Sequence, residues 1–283
     1  MDFSECKEKF NRVLESHIDS ITDFNDLYYY AVINNGKRIR PLFIYSLLND
    51  LGIAQSMADH SAVAVELIHT YSLIHDDLPS MDDDDIRHGK AAHHIKYGEA
   101  KAILTGDSLQ SIAFKVITED SSLSDNQKIQ ICNKLAISSC QMAIGQLEDI
   151  DTNKHLELID LKKMYQNKTG ALLKFSIESG IIISGNLSKN DSELLLNYIE
   201  DIGLAYQIQD DVLDIKSSTE TLGKRRNSDV KLNKNTFPSI VGIKEAEKIY
   251  SNLYKKSKDT LDKLSFKPLS LMSLTKKIEL RDF

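Results

Sequence analysis

Proline is scarce in this chain. Its 283 residues carry four, Pro41, Pro79, Pro238 and Pro268, and none lies between Pro79 and Pro238. That interval holds no residue that breaks a helix outright. Asn-Gly and Asp-Gly pairs are nearly absent, which removes the usual hairpin signals of antiparallel sheets. Leu, Ile, Lys, Glu and Ala dominate instead, so the sequence reads as all-α. Hydrophobic residues make up 41%, enough for one large helical domain over 1–283. Cysteine is also sparse: Cys6, Cys132 and Cys140 are an odd number without metal-ligand spacing, and read as free thiols in a reducing cytosol. No stretch approaches the roughly 20 apolar residues a membrane span needs. The start, MDFSECKEKF, is charged and lacks the apolar run of a signal peptide. A cytoplasmic protein is expected. The formal net charge of -7 argues against a nucleic-acid surface.

What the chain does have is two clusters of aspartate. Asp76-Asp77-Leu78-Pro79-Ser80-Met81-Asp82 runs on into Asp83, Asp84 and Asp85, and Asp210-Asp211-Val212-Leu213-Asp214 is the second. Each follows a largely apolar stretch that reads as helix. Carboxylates at the end of a buried helix are costly unless a cation meets them. Asp210 and Asp214 are i and i+4, the spacing at which two carboxylates of one helix reach one ion. Gly203 and Gln207 share that face, and the helix is expected over 191–216. In the first cluster Pro79 bends the chain, so that Asp82 reaches back toward Asp76. The acidic run also reads as a solvated loop, but four adjacent carboxylates repel unless cations intervene.

Basic residues accompany both clusters. Gly36 permits a turn, Pro41 suits the first turn of the next helix, and Lys37, Arg38 and Arg40 lie between. Three cations at a helix start form either an anion site or a solvated turn. A long helix is expected over 57–77, with His69, Ser72 and Asp76 on one stripe. His69 reads as a satisfied core residue or, two turns before Asp76, as a ligand. Tyr71, five residues before Asp76, reads first as core. Lys168-Thr169-Gly170 interrupts a helical pattern, as a kink that frees backbone carbonyls or as an ordinary glycine defect. The polar stretch after Asp214, SSTETLGKRRNSDVKLNKNTFPS, contains Lys224 and Lys234 and has the length of a mobile lid.

Opposed carboxylates with cations at the rim and apolar lining below describe a site for a diphosphate with a hydrocarbon tail. Mg²⁺ fits such a site, because it takes hard oxygen ligands, keeps several waters and shares phosphate oxygens.

The stretches GKRIRP, ELIHTYSLIHDDLPSMDDDDIRHG, HHIKYGEAKAILTGDSLQ, GQLEDID, NKTGALL, GLAYQIQDDVLDI and LGKRRNSDVKLNKNTFP carry a resemblance. In this order and spacing they resemble the short-chain trans-isoprenyl diphosphate synthases, most closely the bacterial farnesyl diphosphate synthases. The resemblance implies a single helical bundle with a central cavity. It implies that Asp76, Asp82, Asp210 and Asp214 bind a cluster of three Mg²⁺ ions, which hold an allylic diphosphate. It places Arg87, Lys168, Lys224 and Lys234 on that diphosphate. It places Gly36, Lys37, Arg40, His69 and His88 on isopentenyl diphosphate. Thr169 and Gln207 would set oxygen dipoles beside a developing allylic cation. A homodimer is the usual assembly of the family.

Product length in such enzymes follows pocket depth. Tyr71, beside Ser72, stands where an aromatic floor implies a C15 product, and the Pro79-Ser80 insertion matches the bacterial type. A C20 product is the nearest alternative, and a non-catalytic synthase subunit is another. The latter is disfavoured because both aspartate motifs are complete. A terpene cyclase would lack the second DDxxD and the GKRIRP cluster. Two departures stand out. His88 follows Arg87 where relatives carry a second Arg, and Asn35 and Asn233 replace glycines.

Overall fold

A computed structural model describes residues 1–19, 25–33, 36–151, 156–220 and 235–281. The chain is helical almost throughout, as the sequence predicts. The sheet among the described residues is one short pair, β1 (Ile86–Arg87) and β2 (Lys90–Ala91), with Ile86 opposite Ala91. It turns on His88 and Gly89, both at positive φ, 52° and 78°. Two left-handed residues in a row match the twist of a tight hairpin. The first is a histidine, so the usual sequence signal is missing. No helix of the described residues is long and apolar enough to cross a membrane.

The chain divides into two compact units, Met1–Leu135 with Glu178–Gly185, and Ala136–Ile177 with Asn186–Phe283. In the first, α1 (Phe3–Asp19) buries Phe3, Cys6, Phe10, Leu14 and Ile18, a stripe at three- and four-residue spacing. The helix α2 (Asn25–Val32) follows. In α3 (Ile39–Asp50) the run from Pro41 to Leu48 is buried all round, so this helix is a core element rather than a surface one. A short 3₁₀ turn leads into α4 (Asp59–Asp76), buried continuously from Ser61 to Ile68. Next come α5 (His93–Tyr97), α6 (Glu99–Thr118) and the start of α7 (Asp125–Ile150), whose residues from Ala136 belong to the second unit.

Arg38 belongs to this core. Its Nη1 donates to Glu66 Oε1 at 2.6 Å, Nη2 to the Val32 carbonyl at 2.7 Å and Nε to Asn11 Oδ1 at 3.0 Å. Only 1% of the Arg38 side chain is exposed. Of the three cations in the basic turn, Arg38 is therefore spent on the fold, and the anion-site reading is left with Lys37 and Arg40.

In the second unit α8 (Leu158–Tyr165) runs into one π-helical turn, Gln166–Gly170, and then α9 (Ala171–Ser184). The kink expected at Lys168-Thr169-Gly170 is this turn. Two glycines let neighbours approach it. A Cβ on Gly145 of α7 would lie 2.3 Å from the Lys168 nitrogen, and one on Gly203 would lie 3.2 Å from the Gly170 Cα. Gly203 belongs to α10 (Lys189–Glu220), which contains the 191–216 span expected from the sequence. The remaining helices are α11 (Phe237–Val241), α12 (Ile243–Leu261) and α13 (Leu269–Leu280). Leu161, Met164, Tyr165, Leu204, Ile208, Val212, Phe237 and Ala246 form one buried cluster. Each large apolar side chain so buried contributes about 1.5–3 kcal/mol.

Candidate active site

The helix α4 stops at Asp76 because Pro79 cannot extend it. The chain then folds back. The Met81 N–H donates to the Leu78 carbonyl at 2.8 Å, and the Asp82 N–H donates to the Asp76 carbonyl at 2.9 Å. Asp82 thus lies next to Asp76, and both are half-buried. Asp77 is buried instead, and accepts from Arg87 Nε at 2.8 Å and from Arg87 Nη2. Burial pushes the Asp77 carboxyl up, and the Arg87 hydrogen bond and charge pull it back only in part. Arg87 also reaches Asp84 at 3.4 Å, so this cation is held in place beside the first motif.

His69 lies within the electrostatic reach of several basic groups of this unit. Burial lowers His69 well below the usual imidazole range, and the charges of Arg40, His88, Arg38 and Arg87 lower it further. His88 is lowered by burial and then by Arg87, Arg38 and Lys37. His69 thus feels Arg40 and His88, and His88 feels Lys37, which is exposed, while Gly36 is buried. Tyr71 and Ser72 are half-buried on α4. The Tyr71 ring meets His75 edge-on at 5.8 Å, and the Ser72 hydroxyl donates to the His69 carbonyl at 2.9 Å.

In the second unit the π-turn puts two predicted residues in contact with partners from α7 and α10. Lys168 Nζ donates to Asp149 Oδ2 at 2.6 Å, and Thr169 Oγ1 donates to Gln207 Oε1 at 2.7 Å. Gln207 Nε2 donates to Asp211 Oδ1 at 3.2 Å. Asp211 Oδ2 accepts from the Tyr165 hydroxyl at 2.5 Å and from the Phe237 N–H at 3.2 Å. Asp149, Tyr165, Lys168, Gln207 and Asp211 line a small pocket with Asn235 and Thr236. Asp210 and Asp214 are more exposed than Asp211, and Asp210 Oδ1 pairs with Arg281 Nη2 at 2.9 Å. Lys224 and Lys234, with most of the stretch read as a lid, and Asn35 and Asn233, lie outside the described residues.

The acidic residues suit Mg²⁺. Among the described residues no group of three or more His, Cys, Asp or Glu side chains could hold an ion unaided. Carboxylates in ones and twos are what Mg²⁺ uses when water and phosphate complete its shell.

The sequence pattern of the polyprenyl synthetase family matches residues 22–266. The chain belongs to this family. It is 37% identical to farnesyl diphosphate synthase of Escherichia coli (strain K12), over 97% of this chain and 96% of that one. It is 38% identical to farnesyl diphosphate synthase of Haemophilus influenzae, over 94% and 92%. A crystal structure of a geranyltransferase from Legionella pneumophila superposes with a TM-score of 0.88 at 30% identity, over 99% of this chain and 96% of that one. A geranyltransferase from Helicobacter pylori, complexed with magnesium and isoprenyl diphosphate, gives 0.83 at 26% identity, over 99% and 95%.

Several residues that support predicted ones escape a reading of spacing alone. Glu66, Asp149, Tyr165, Asp211 and Arg281 all hold a predicted residue or its neighbour. For Asp211 a signal was available, since it stands four residues after Gln207 on one helix face. Arg281 carries none, because it meets Asp210 only once α13 has packed.

Proposed function

We propose that this chain is a farnesyl diphosphate synthase, a prenyltransferase that joins isopentenyl diphosphate head to tail with dimethylallyl and then geranyl diphosphate. The observation that carries the reading is the π-turn, which sets Lys168 and Thr169 beside Gln207 and Asp149 in a member of the polyprenyl synthetase family. The whole chain acts as one synthase.

Asp76, Asp82, Asp210 and Asp214 would hold Mg²⁺, three ions in all; the Helicobacter relative's magnesium supports the choice of ion. When bound, the metal supplies positive charge against which diphosphate can leave. Arg87, Lys168, Lys224 and Lys234 hold the same diphosphate through its outer oxygens. Gly36, Lys37, Arg40, His69 and His88 hold isopentenyl diphosphate, and so place its double bond near the allylic carbon.

The allylic C–O bond breaks and its electron pair leaves with diphosphate. Thr169 and Gln207 turn oxygen dipoles toward the carbon that becomes positive. The isopentenyl double bond then forms the new C–C bond, and a proton passes to the released diphosphate. No protein nucleophile takes part. Tyr71, with Ser72 beside it, closes the far end of the tail pocket and stops growth at C15.

The assembly is a homodimer; the exposed apolar side chains of Ile95, Ile103 and Leu104 support a covered face. The three free cysteines support a reducing, cytoplasmic setting. The test is direct. Purified protein with isopentenyl and dimethylallyl diphosphates and MgCl₂ should give farnesyl diphosphate. A C20 product would reassign the enzyme as a geranylgeranyl diphosphate synthase, and no product at all would overturn the activity.

A further inference from the structure

We propose that Asp211 sets the direction of a hydrogen-bond chain, Tyr165–Asp211–Gln207–Thr169, that turns the lone pairs of Thr169 toward the substrate, making Tyr165 and Asp211 positioning residues rather than magnesium ligands. The proposal rests on the reading that Thr169 and Gln207 flank the allylic carbon.

The argument is one of donors and acceptors. An ionised carboxylate only accepts. The Phe237 N–H can only donate, and it points at Asp211 Oδ2 from 3.2 Å. The Tyr165 hydroxyl donates to the same oxygen at 2.5 Å. Burial raises the Tyr165 phenol far above its ordinary range, and the charge of Asp211 raises it further, so it stays a donor at any working pH. Against an acceptor, Gln207 must present its NH₂ group, which it does at 3.2 Å. Its carbonyl oxygen then faces Thr169, and an amide oxygen can only accept. Thr169 must therefore give its hydroxyl hydrogen inward, at 2.7 Å. What the hydroxyl shows on its other side is two lone pairs, the negative end of its dipole.

Reversal of the chain would reverse that sign. If residue 211 could donate, Gln207 could flip, and Thr169 could turn its O–H outward. A positive hydrogen beside a forming carbocation raises the barrier where a lone pair lowers it. Burial separates Asp211 from its neighbour in the motif. Asp211 is buried and accepts from Tyr165, Phe237 and Gln207 within the unit, whereas Asp210, one position earlier, is only half-buried. Asp211 is built to hold the protein, and Asp210 to meet what comes in.

The test compares turnover with binding. Asp211→Asn keeps the shape and adds a donor. Its kcat should fall about 100-fold or more, while the Kd for an unreactive thiolo analogue of geranyl diphosphate with Mg²⁺ changes by less than about threefold. Tyr165→Phe, which deletes the hydroxyl and keeps the ring, should lose about tenfold in kcat with the analogue Kd unchanged. A purely structural role would lower the melting temperature of Tyr165→Phe and leave kcat per folded molecule intact. Three results overturn the proposal: Asp211→Asn with parental kcat, Asp211→Asn losing analogue binding in step with kcat, or Tyr165→Phe with parental kcat per folded molecule. Should Asp211→Asn fail to fold, Tyr165→Phe decides. Thr169→Val separates the two levels. Parental kcat in Thr169→Val sinks the reading of the site itself, whereas loss in Thr169→Val without loss in Asp211→Asn sinks only the chain's direction.

Discussion

Arg281 Nη2 sits 2.9 Å from Asp210 Oδ1, so a carboxylate assigned to magnesium already carries a counter-ion from the last helical cap of the chain. The same guanidinium donates to Gln209 Oε1 and to the Tyr206 carbonyl, both at 3.0 Å, and lies over the Tyr206 ring. A divalent ion arriving at Asp210 must share this oxygen or displace the arginine. Arg281→Met should therefore lower the Mg²⁺ concentration for half-maximal rate about threefold, since a nearby positive charge is gone. It should also cost about 1–3 kcal/mol of stability through the lost hydrogen bonds. Magnesium titration of the rate and chemical denaturation check the two parts separately.

Glu66→Gln should be among the most damaging substitutions outside the site. It leaves the buried Arg38 guanidinium without the Glu66 counter-charge, which costs about 3–5 kcal/mol. Urea unfolding of the variant measures this, and the products of the folded fraction should be unchanged in length.

Tyr71→Ala should lengthen the product beyond C15, because the proposed floor of the tail pocket would lose its half-buried ring. Chromatography of the dephosphorylated products shows the shift. An unchanged length would remove Tyr71 from the specificity account.

The pH dependence of isopentenyl diphosphate binding should fall on the acid side. His88 has an ordinary value of 6.5 and is lowered by burial, Arg87, Arg38 and Lys37. It is therefore neutral at pH 7 and above, and gains charge only as pH falls below the ordinary imidazole range. KM for isopentenyl diphosphate should be flat from about pH 7 to 8.5 and fall in acid, and His88→Arg should remove the dependence. Stability runs the other way. His69 and His88 are lowered in the folded chain, so their contribution is complete above the unfolded value and is lost as pH falls toward the folded one.

Gly145→Ala should abolish turnover more than it destabilises the fold. Its Cβ would press on the Lys168 backbone at 2.3 Å, and a fixed backbone cannot move aside without shifting Lys168 and Thr169. Comparison of kcat with the melting temperature decides whether the π-turn or the whole unit yields.

Much of this is legible in the sequence alone. The scarcity of proline foretold helices such as α10, and Pro79 foretold the fold-back that brings the Asp82 N–H to the Asp76 carbonyl. Spacing along one helix is a local property, and local properties survive folding. Arg38 shows where this fails. It reads as one of three surface cations, yet packing closes over it because Glu66 of α4 supplies the charge. The β1–β2 pair hides for a different reason, since a histidine takes the left-handed turn position. Tyr165 and Asp211 are 46 residues apart, and nothing in either stretch announces their hydrogen bond. Pairs of this kind are fixed by how helices pack.

The central claim is that both aspartate motifs serve one magnesium-bound diphosphate. Calorimetry of the thiolo analogue of geranyl diphosphate, with and without Mg²⁺, tests it on the parent, Asp76→Asn and Asp210→Asn. The account requires Mg²⁺-dependent binding in the parent and its loss in both variants. Parental binding in either one would contradict it.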